Sequence, residues 1–178
     1  MKVLVAITGA SGVVYGKRLL EVLMEKNIET SCVLSDAAKK IIAHEIGKFD
    51  FDYHRENDIT APFASGSHKI DAMVVIPCSM KTLASIANGI TSNLIARSAD
   101  VTIKEGRQLI LVPRETPLNA IHLENMLKLS RLGVTILPPM PAFYHKPKTL
   151  EDLVDFIVGK VLDVLRIEND LFNRWDGP

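Results

Sequence analysis

The most constraining feature of this chain is an uninterrupted apolar run over residues 73–76, which Pro77 follows. A strand that is buried on both faces of a parallel sheet has this continuous apolar character, whereas a half-exposed strand alternates. Because proline has no N–H for the ladder, we predict that the strand stops at Pro77. Ser79 then suits the N-cap of a helix that ends near Gly89. The stretch therefore predicts a buried strand, a sharp turn and a helix N-terminus, where backbone N–H groups bind anions.

Four more short segments are predicted to be strands, over residues 3–7, 29–34, 108–113 and 134–137. Helical patterns lie between them and after the last. The predicted N-caps are Ser35, Ser92, Thr116 (with Pro117 at the first helical position) and Thr149. Residues 48–62 show no pattern and are predicted to be irregular. Strands that alternate with helices predict an α/β fold with a single doubly wound, Rossmann- or flavodoxin-like parallel sheet flanked by helices. We expect five or six strands in one domain over residues 1–178, with 166–178 as a C-terminal tail.

Composition excludes several classes of partner. The 178 residues carry 21 basic and 21 acidic side chains, so no net charge favours nucleic acid or an anionic membrane. No stretch approaches the length of a membrane span, and the opening apolar run has no cleavage-site pattern. The two cysteines, Cys32 and Cys78, lie in or after apolar runs and are typical of buried residues in a reducing compartment. We expect a cytoplasmic protein.

Polar side chains collect at the predicted carboxyl ends of the strands, where doubly wound sheets bind their ligands. Residues 9–12, after the first strand, include two glycines and Ser11. Residues 79–82, after the central strand, include two hydroxyl side chains and Lys81. Ser35, Arg114, Glu115 and Tyr144 follow other strands. Each serine also suits a simple helix cap, so the prediction of a binding site depends on their convergence.

One alternative is a nicotinamide dehydrogenase. The run Thr8-Gly-Ala-Ser-Gly12 resembles the nucleotide loop of short-chain dehydrogenases, Asp36 has the place of a ribose-binding acid, and Tyr144 and Lys148 have that family's catalytic spacing. That tyrosine and lysine must share one helical face, and Pro147 between them opposes a helix.

A metal site is not indicated either. The five histidines are scattered, and His122 and Glu124 are two residues apart, so they do not share a helical face. No paired-aspartate motif is present to hold magnesium on a diphosphate. A phosphate would be bound by cationic side chains, hydroxyls and helix ends, which favours a monophosphate.

Five runs together resemble the UbiX-type flavin prenyltransferases, a flavoprotein group related to cysteine decarboxylases. They are Thr8-Gly-Ala-Ser-Gly12, Pro77-Cys-Ser-Met-Lys-Thr82, Val112-Pro-Arg-Glu-Thr-Pro117, Ile121-His-Leu-Glu-Asn-Met-Leu-Lys-Leu-Ser130 and Leu137-Pro-Pro-Met-Pro-Ala-Phe-Tyr144. The resemblance implies transfer of the dimethylallyl group of dimethylallyl phosphate to N5 and C6 of reduced FMN. The product, prenylated FMN, serves a UbiD-type decarboxylase. The family also implies a homo-oligomer, often a dodecamer, with sites shared between subunits.

The resemblance also assigns roles position by position. It implies that FMN is held by Gly9, Ala10, Ser11, Ser35, Ser79, Met80, Lys81, Thr82 and Arg114. The prenyl phosphate would be bound by Arg97, Lys104, Tyr144 and Lys160, and the catalytic set would be Glu45, Glu115 and Tyr144, with Tyr144 or Glu115 as proton donor to the leaving group. Many members have arginine where this chain has Lys160, and some have tryptophan at the place of Ile59.

Two rival functions remain at this stage. FMN-dependent cysteine decarboxylases typically have a Pro-Ala-Ser-Ala-Asn-Thr loop where this chain reads Pro77-Cys-Ser-Met-Lys-Thr82. A non-catalytic FMN carrier for a partner decarboxylase would keep the flavin residues and lose the phosphate-binding set, which this chain retains.

Overall fold

A six-stranded parallel sheet forms the centre of the fold, with strand order β3-β2-β1-β4-β5-β6. The computed structural model describes residues 1–177. The strands are β1 (Lys2–Ile7), β2 (Glu29–Leu34), β3 (His54–Arg55), β4 (Ala72–Cys78), β5 (Gln108–Pro113) and β6 (Thr135–Ile136). The order reverses direction between β1 and β4, which is the topological switch point of a doubly wound sheet. The predicted fold class is confirmed.

Six helices cover the two faces of the sheet. They are α1 (Val13–Glu25), α2 (Asp36–Glu45), α3 (Met80–Ala87), α4 (Leu94–Lys104), α5 (Ala120–Arg131) and α6 (Leu150–Val164), with a short 3-10 turn at Pro62–Ala64. Helices α1, α2 and α6 pack on one face, and α3, α4 and α5 pack on the other. None of the helices within residues 1–177 has the length and apolar character needed to cross a membrane.

The central strand β4 is buried at every position, as its apolar run predicts. Val74 and Ile76 join the core beneath α1 and α6, whereas Met73 and Val75 join the core beneath α3 and α4. Successive side chains of a strand point to opposite faces, so a strand covered on both sides needs apolar residues throughout.

The prediction that Pro77 ends the central strand is wrong. Strand β4 runs through a cis Ile76–Pro77 peptide to Cys78. The register with β5 shifts between Val75 and Cys78, so the missing N–H of Pro77 falls where the ladder is already irregular. The Pro77 carbonyl is used instead, because it accepts hydrogen bonds from the N–H and the hydroxyl of Thr8.

Two predicted helix starts are also wrong. Asn93, and not Ser92, caps α4, because its side chain accepts the N–H of Ala96 at 2.9 Å. Helix α5 begins at Ala120, after the cis Thr116–Pro117 peptide. Asn119 and His122 form a reciprocal capping box there, which offers better caps than Thr116.

The other predicted caps are confirmed at Ser35, Ser79 and Thr149. The segment predicted to be irregular, residues 48–62, contains β3. This two-residue strand pairs with the end of β2 and is too short to show a pattern in the sequence.

Candidate active site

A polar crevice of about 310 Å³ lies at the carboxyl ends of the central strands. Its lining comes from the turns after β1 to β5, from α3 and from the start of α4: Gly9, Ser35, Ala37, Glu56, Ser79, Met80, Lys81, Thr82, Ser85, Ser92, Asn93, Ala96 and Glu115. Six of the residues predicted from the sequence therefore meet here with Glu115, although they come from four separate stretches of the chain.

Thr8 joins two of these turns. Its buried hydroxyl donates to the Pro77 carbonyl at 2.8 Å and accepts the N–H of Ser79 at 2.7 Å. Gly9 follows, and a Cβ on it would lie 2.5 Å from the Cβ of Ala37, so only glycine allows this approach. Thr8 was missed as a site residue, and its signal is a hydroxyl at the end of a buried strand directly before a glycine.

The N-terminus of α3 supplies the crevice with hydrogen-bond donors. The Ser79 hydroxyl oxygen accepts the N–H of Thr82 at 3.3 Å, and the same hydroxyl donates to Thr82 Oγ1 at 3.1 Å. Met80 and Lys81 are the first two residues of the helix, so their N–H groups have no intrahelical partner. The exposed Lys81 ammonium adds a full positive charge. This end of the crevice is built for an anion.

Glu56 holds two further helix N-termini together across the crevice. One carboxylate oxygen accepts the N–H of Asp36 at the start of α2, and the other accepts Nδ2 of Asn93 at the start of α4, at 2.7 and 2.6 Å. Glu56 lies in the segment without a sequence pattern, and no local signal marks it.

Glu45 occupies the N-terminus of α1. Its Oε2 accepts the N–H groups of Gly12 and Val13 at 2.9 and 3.2 Å. Partial burial raises the pKa of this carboxyl, but hydrogen bonds from Ser11, Gly12 and Val13 and the nearby Arg114 outweigh that effect, so the pKa is lowered overall. Glu45 is therefore a carboxylate that can accept a proton. The sequence-predicted pair Ser11 and Arg114 meets it beside the crevice.

A larger cavity of about 600 Å³ lies on the other side of Glu45, between α1 and α6. Its walls include the apolar side chains of Val14, Leu150 and Val154. Glu45 is the one predicted site residue that lines this cavity.

Arg97 and Lys104 lie away from the crevice on α4. Arg97 donates to the Ala64 carbonyl at 3.1 Å and pairs with Asp100 at 3.2 Å. Lys104 contacts the carboxylate of Glu105. The loop over residues 64–68 crosses this helix end closely, since a Cβ on Gly66 would lie 2.9 Å from the Lys104 ammonium. The hydroxyls of Ser65 and Ser67 in this loop lie 2.8 Å apart.

Tyr144 and Lys160 form a third group, on α6 and the chain beside it. The Tyr144 ring contacts Phe156 at 6.1 Å and Trp175 at 5.8 Å between centroids, and the Lys160 ammonium lies 3.6 Å from Asp163. The sheet separates this group from Arg97 and Lys104, because α6 and α4 pack on opposite faces. Within one chain, the predicted phosphate-binding residues are not brought together.

Comparison with known proteins decides the family. The Flavoprotein family model matches residues 1–162. The flavin prenyltransferase UbiX of Methanocaldococcus jannaschii is 56% identical over 182 aligned positions, which cover 98% of each chain. The chain belongs to the flavin prenyltransferase family.

Two solved members of this family share the whole fold. A UbiX protein solved with FMN and dimethylallyl pyrophosphate is 45% identical, with a TM-score of 0.96 over 99% of this chain and 97% of its own. A dodecameric FMN-dependent UbiX-like decarboxylase from Escherichia coli O157:H7 is 49% identical, with a TM-score of 0.95 over 99% and 100%. The peptidyl-cysteine decarboxylase EpiD, at 22% identity and a TM-score of 0.61, shares the fold alone.

The structure confirms the prediction that Tyr144 and Lys148 do not form the catalytic pair of a short-chain dehydrogenase. Tyr144 and Lys148 lie in the irregular segment before α6, which begins only at Leu150, so they share no helical face. Ile59, where some family members have tryptophan, is 64% exposed in this chain.

Proposed function

We propose that this protein transfers the dimethylallyl group of dimethylallyl phosphate to N5 and C6 of reduced FMN and releases phosphate. The observation that carries the proposal is the full-length relationship to flavin prenyltransferases, which includes a structure solved with FMN and a dimethylallyl ester at a TM-score of 0.96. We interpret residues 1–178 as one flavin-binding domain whose tail begins at residue 166.

The donors around the crevice fit a flavin mononucleotide. A phosphate suits the α3 N-terminus, where Ser79, Thr82 and the N–H groups of Met80 and Lys81 converge. The α1 N-terminus is already occupied by the Glu45 carboxylate, so the phosphate belongs at α3. Gly9, Ala10, Ser11, Ser35 and Arg114 then border the remainder of the flavin.

The reaction needs stabilisation of a departing phosphate and of positive charge on the allyl group. The reduced flavin, when bound, supplies the electron-rich nucleophile. Arg97, Lys104 and Lys160 stabilise the leaving phosphate through charge, and Tyr144 donates a hydrogen bond to it. Tyr144 or Glu115 gives the leaving group a proton, and Glu45, held as a carboxylate beside Ser11 and Arg114, accepts one from the flavin side.

The complete site requires more than one subunit in this proposal. The groups around Lys104 and Lys160 lie on opposite faces of the sheet, yet both are assigned to one phosphate. A homo-oligomer, with a dodecamer as in the E. coli relative, would bring them together from different copies.

The test is anaerobic incubation with reduced FMN and dimethylallyl phosphate in a chelator. We expect free phosphate and a flavin heavier by one prenyl group in the mass spectrum. A parallel reaction with dimethylallyl pyrophosphate, the ester in the solved relative, decides between monophosphate and diphosphate. Flavin of unchanged mass with both esters would contradict the proposal, and carbon dioxide released from a cysteine-ended peptide would establish the rival decarboxylase.

We further propose that the product is the cofactor of a UbiD-type decarboxylase in the cytoplasm. The family relationship and the two free, buried cysteines support this placement. Purified apo-decarboxylase should gain activity when it is mixed with the reaction products, and it should gain none from a reaction that lacks the prenyl phosphate.

A further inference from the structure

The end of the chain folds back along α6 toward Tyr144. Arg166 adopts a left-handed conformation with φ of 59°, and the N–H of Ile167 bonds back to the Leu162 carbonyl at 2.9 Å, which reverses the chain. We call residues 167–175 the tail strap. Its Phe172 ring lies against Phe156 of the helix, with 4.9 Å between the ring centroids.

Gly159 allows the strap to lie this close to the helix. A Cβ at position 159 would stand 2.6 Å from the Phe172 ring, which is closer than real contacts allow. Asn169 donates to the Gly159 carbonyl at 3.4 Å. The strap therefore packs closely on α6 at the position directly before Lys160.

Asp163 is the ionic anchor of the strap. Arg174 donates to both of its carboxylate oxygens, at 2.7 and 3.1 Å, and Asn169 donates to it at 3.0 Å. Its pKa is lowered, chiefly by the hydrogen bond from Arg174, against a smaller opposing effect of burial. Lys160, one turn earlier on α6, stands 3.6 Å from the same carboxylate.

Arg174 and Lys160 therefore share one carboxylate, and Arg174 makes the shorter contacts. The planar guanidinium engages both oxygens at once, which the point charge of an ammonium cannot do. The Asp163 side chain is 23% exposed and belongs to a network, which is the setting in which an ion pair matters. Without Arg174, Asp163 would keep only Asn169 and Lys160, and Lys160 lies three residues earlier on the same helical face.

We propose that Arg174, through its shorter two-oxygen contact with Asp163, keeps the pairing of Lys160 with that carboxylate loose, so that the Lys160 ammonium can turn to the substrate phosphate. When the strap leaves α6, Asp163 captures Lys160 and phosphate binding weakens. Asp163 and Arg174 are positioning residues in this scheme, and the inference rests on the proposed role of Lys160. The strap also places Trp175 against Tyr144, so the surroundings of Trp175 report whether the strap is docked.

Kinetics of three variants test the proposal. Arg174→Gln should raise KM for dimethylallyl phosphate by roughly three- to five-fold, the upper end for one ion pair of this kind, and leave the FMN affinity unchanged. Asp163→Asn should leave KM within about two-fold of wild type, because no carboxylate remains to capture Lys160. The double variant should match Asp163→Asn. Arg166→Gln is the control, since it removes a charge beside the strap from a side chain that makes no ion pair within residues 1–177.

Tryptophan fluorescence separates strap docking from capture. Trp175 is the single tryptophan, so acrylamide quenching of its emission reports on the strap directly. Quenching should increase in both Arg174→Gln and Asp163→Asn, although only Arg174→Gln raises KM. The proposal would be overturned if KM rose equally in the two variants or stayed unchanged in Arg174→Gln. It would also be overturned if KM of the double variant rose as much as KM of Arg174→Gln.

A measurement without turnover distinguishes failure of this inference from failure of the proposed function. A lysine that is tightly paired with a carboxylate should react more slowly with acetic anhydride than a loosely paired one. Peptide mass spectrometry measures the acetylation of Lys160 in each variant, with the exposed Lys146 as internal reference. We expect slower labelling in Arg174→Gln and wild-type labelling in the double variant. Equal labelling in all variants would overturn capture, whereas a wild-type protein that releases no phosphate would overturn the proposed function.

Discussion

Glu45 shows how one side chain can shape both a fold and a site. It is the last residue of α2, yet its carboxylate satisfies two N–H groups at the start of α1, more than thirty residues earlier. A carboxylate in that place also complements the positive end of the helix. The same contacts keep it ionised beside Arg114, so the group that closes α1 is also available to accept a proton.

Changing Glu45 to Gln should destabilise the protein by about 1 kcal/mol at pH 7, the usual value of a helix cap. Because the folded state lowers the pKa of Glu45 below its ordinary 4.5, this stabilisation is present above pH 4.5 and is lost as the pH falls through the folded value. Urea unfolding at pH 7 and near pH 3.5 measures it. Glu168→Gln, an exposed acid on the tail, is the control, and a difference that grows on acidification would contradict the assignment.

In the proposed arrangement, helix α3 is the element on which flavin binding depends most. Its first turn combines a confirmed cap, two unpaired N–H groups and the exposed Lys81 immediately after the buried strand β4. The cap stabilises the helix, whereas the lysine contributes only charge to the crevice. Stability and ligand affinity should therefore be separable within this one turn.

We expect Lys81→Gln to weaken FMN binding by roughly ten-fold or more, the value of a charge-assisted hydrogen bond, and to leave the melting temperature unchanged. Ser79→Ala should lower both, since the cap on Thr82 is lost. Fluorescence titration of FMN and scanning calorimetry measure the two effects. Lys26→Gln, at the far end of α1, controls for net charge, and an unaltered FMN affinity in Lys81→Gln would place the phosphate elsewhere.

The whole molecule raises the question of where the phosphate site is assembled. One chain carries Lys104 and Lys160 on opposite faces of a sheet that no side chain crosses. A shared site follows if both act on one phosphate, and such a site has a genetic consequence: two inactive variants can complement each other.

Lys104→Ala and Lys160→Ala should each spare flavin binding and abolish most phosphate release. Mixed oligomers refolded from equal amounts of the two variants should recover activity in roughly a quarter of the sites. Each site draws Lys104 from one subunit and Lys160 from another, and each of these subunits has an intact lysine about half of the time. Phosphate release after mixing and refolding is the measurement. Separately refolded variants are the control, and activity no higher than in those controls would show that one subunit supplies both lysines.

Local pattern in the sequence determined the architecture. Continuous apolar runs such as 73–76 specify strands covered on both faces, and Ser35, Ser79 and Thr149 mark helix starts, because burial and capping are decided within a few neighbouring residues. Family resemblance in the sequence added the activity. The predictions made from Pro77, Ser92 and Thr116 were wrong. A register shift lets the strand continue through Pro77, and Asn93 and Asn119 cap the two helices in place of Ser92 and Thr116.

Only the tertiary structure decided which polar groups meet. The Thr8 hydroxyl binds a carbonyl 69 residues away, Glu56 joins two helices from a segment without pattern, and Arg174 returns to Asp163 only after the chain reverses. The same is true of the cationic groups, which the sheet divides between its two faces. Such contacts depend on how the strands are ordered and on where the chain ends lie, which periodicity does not encode.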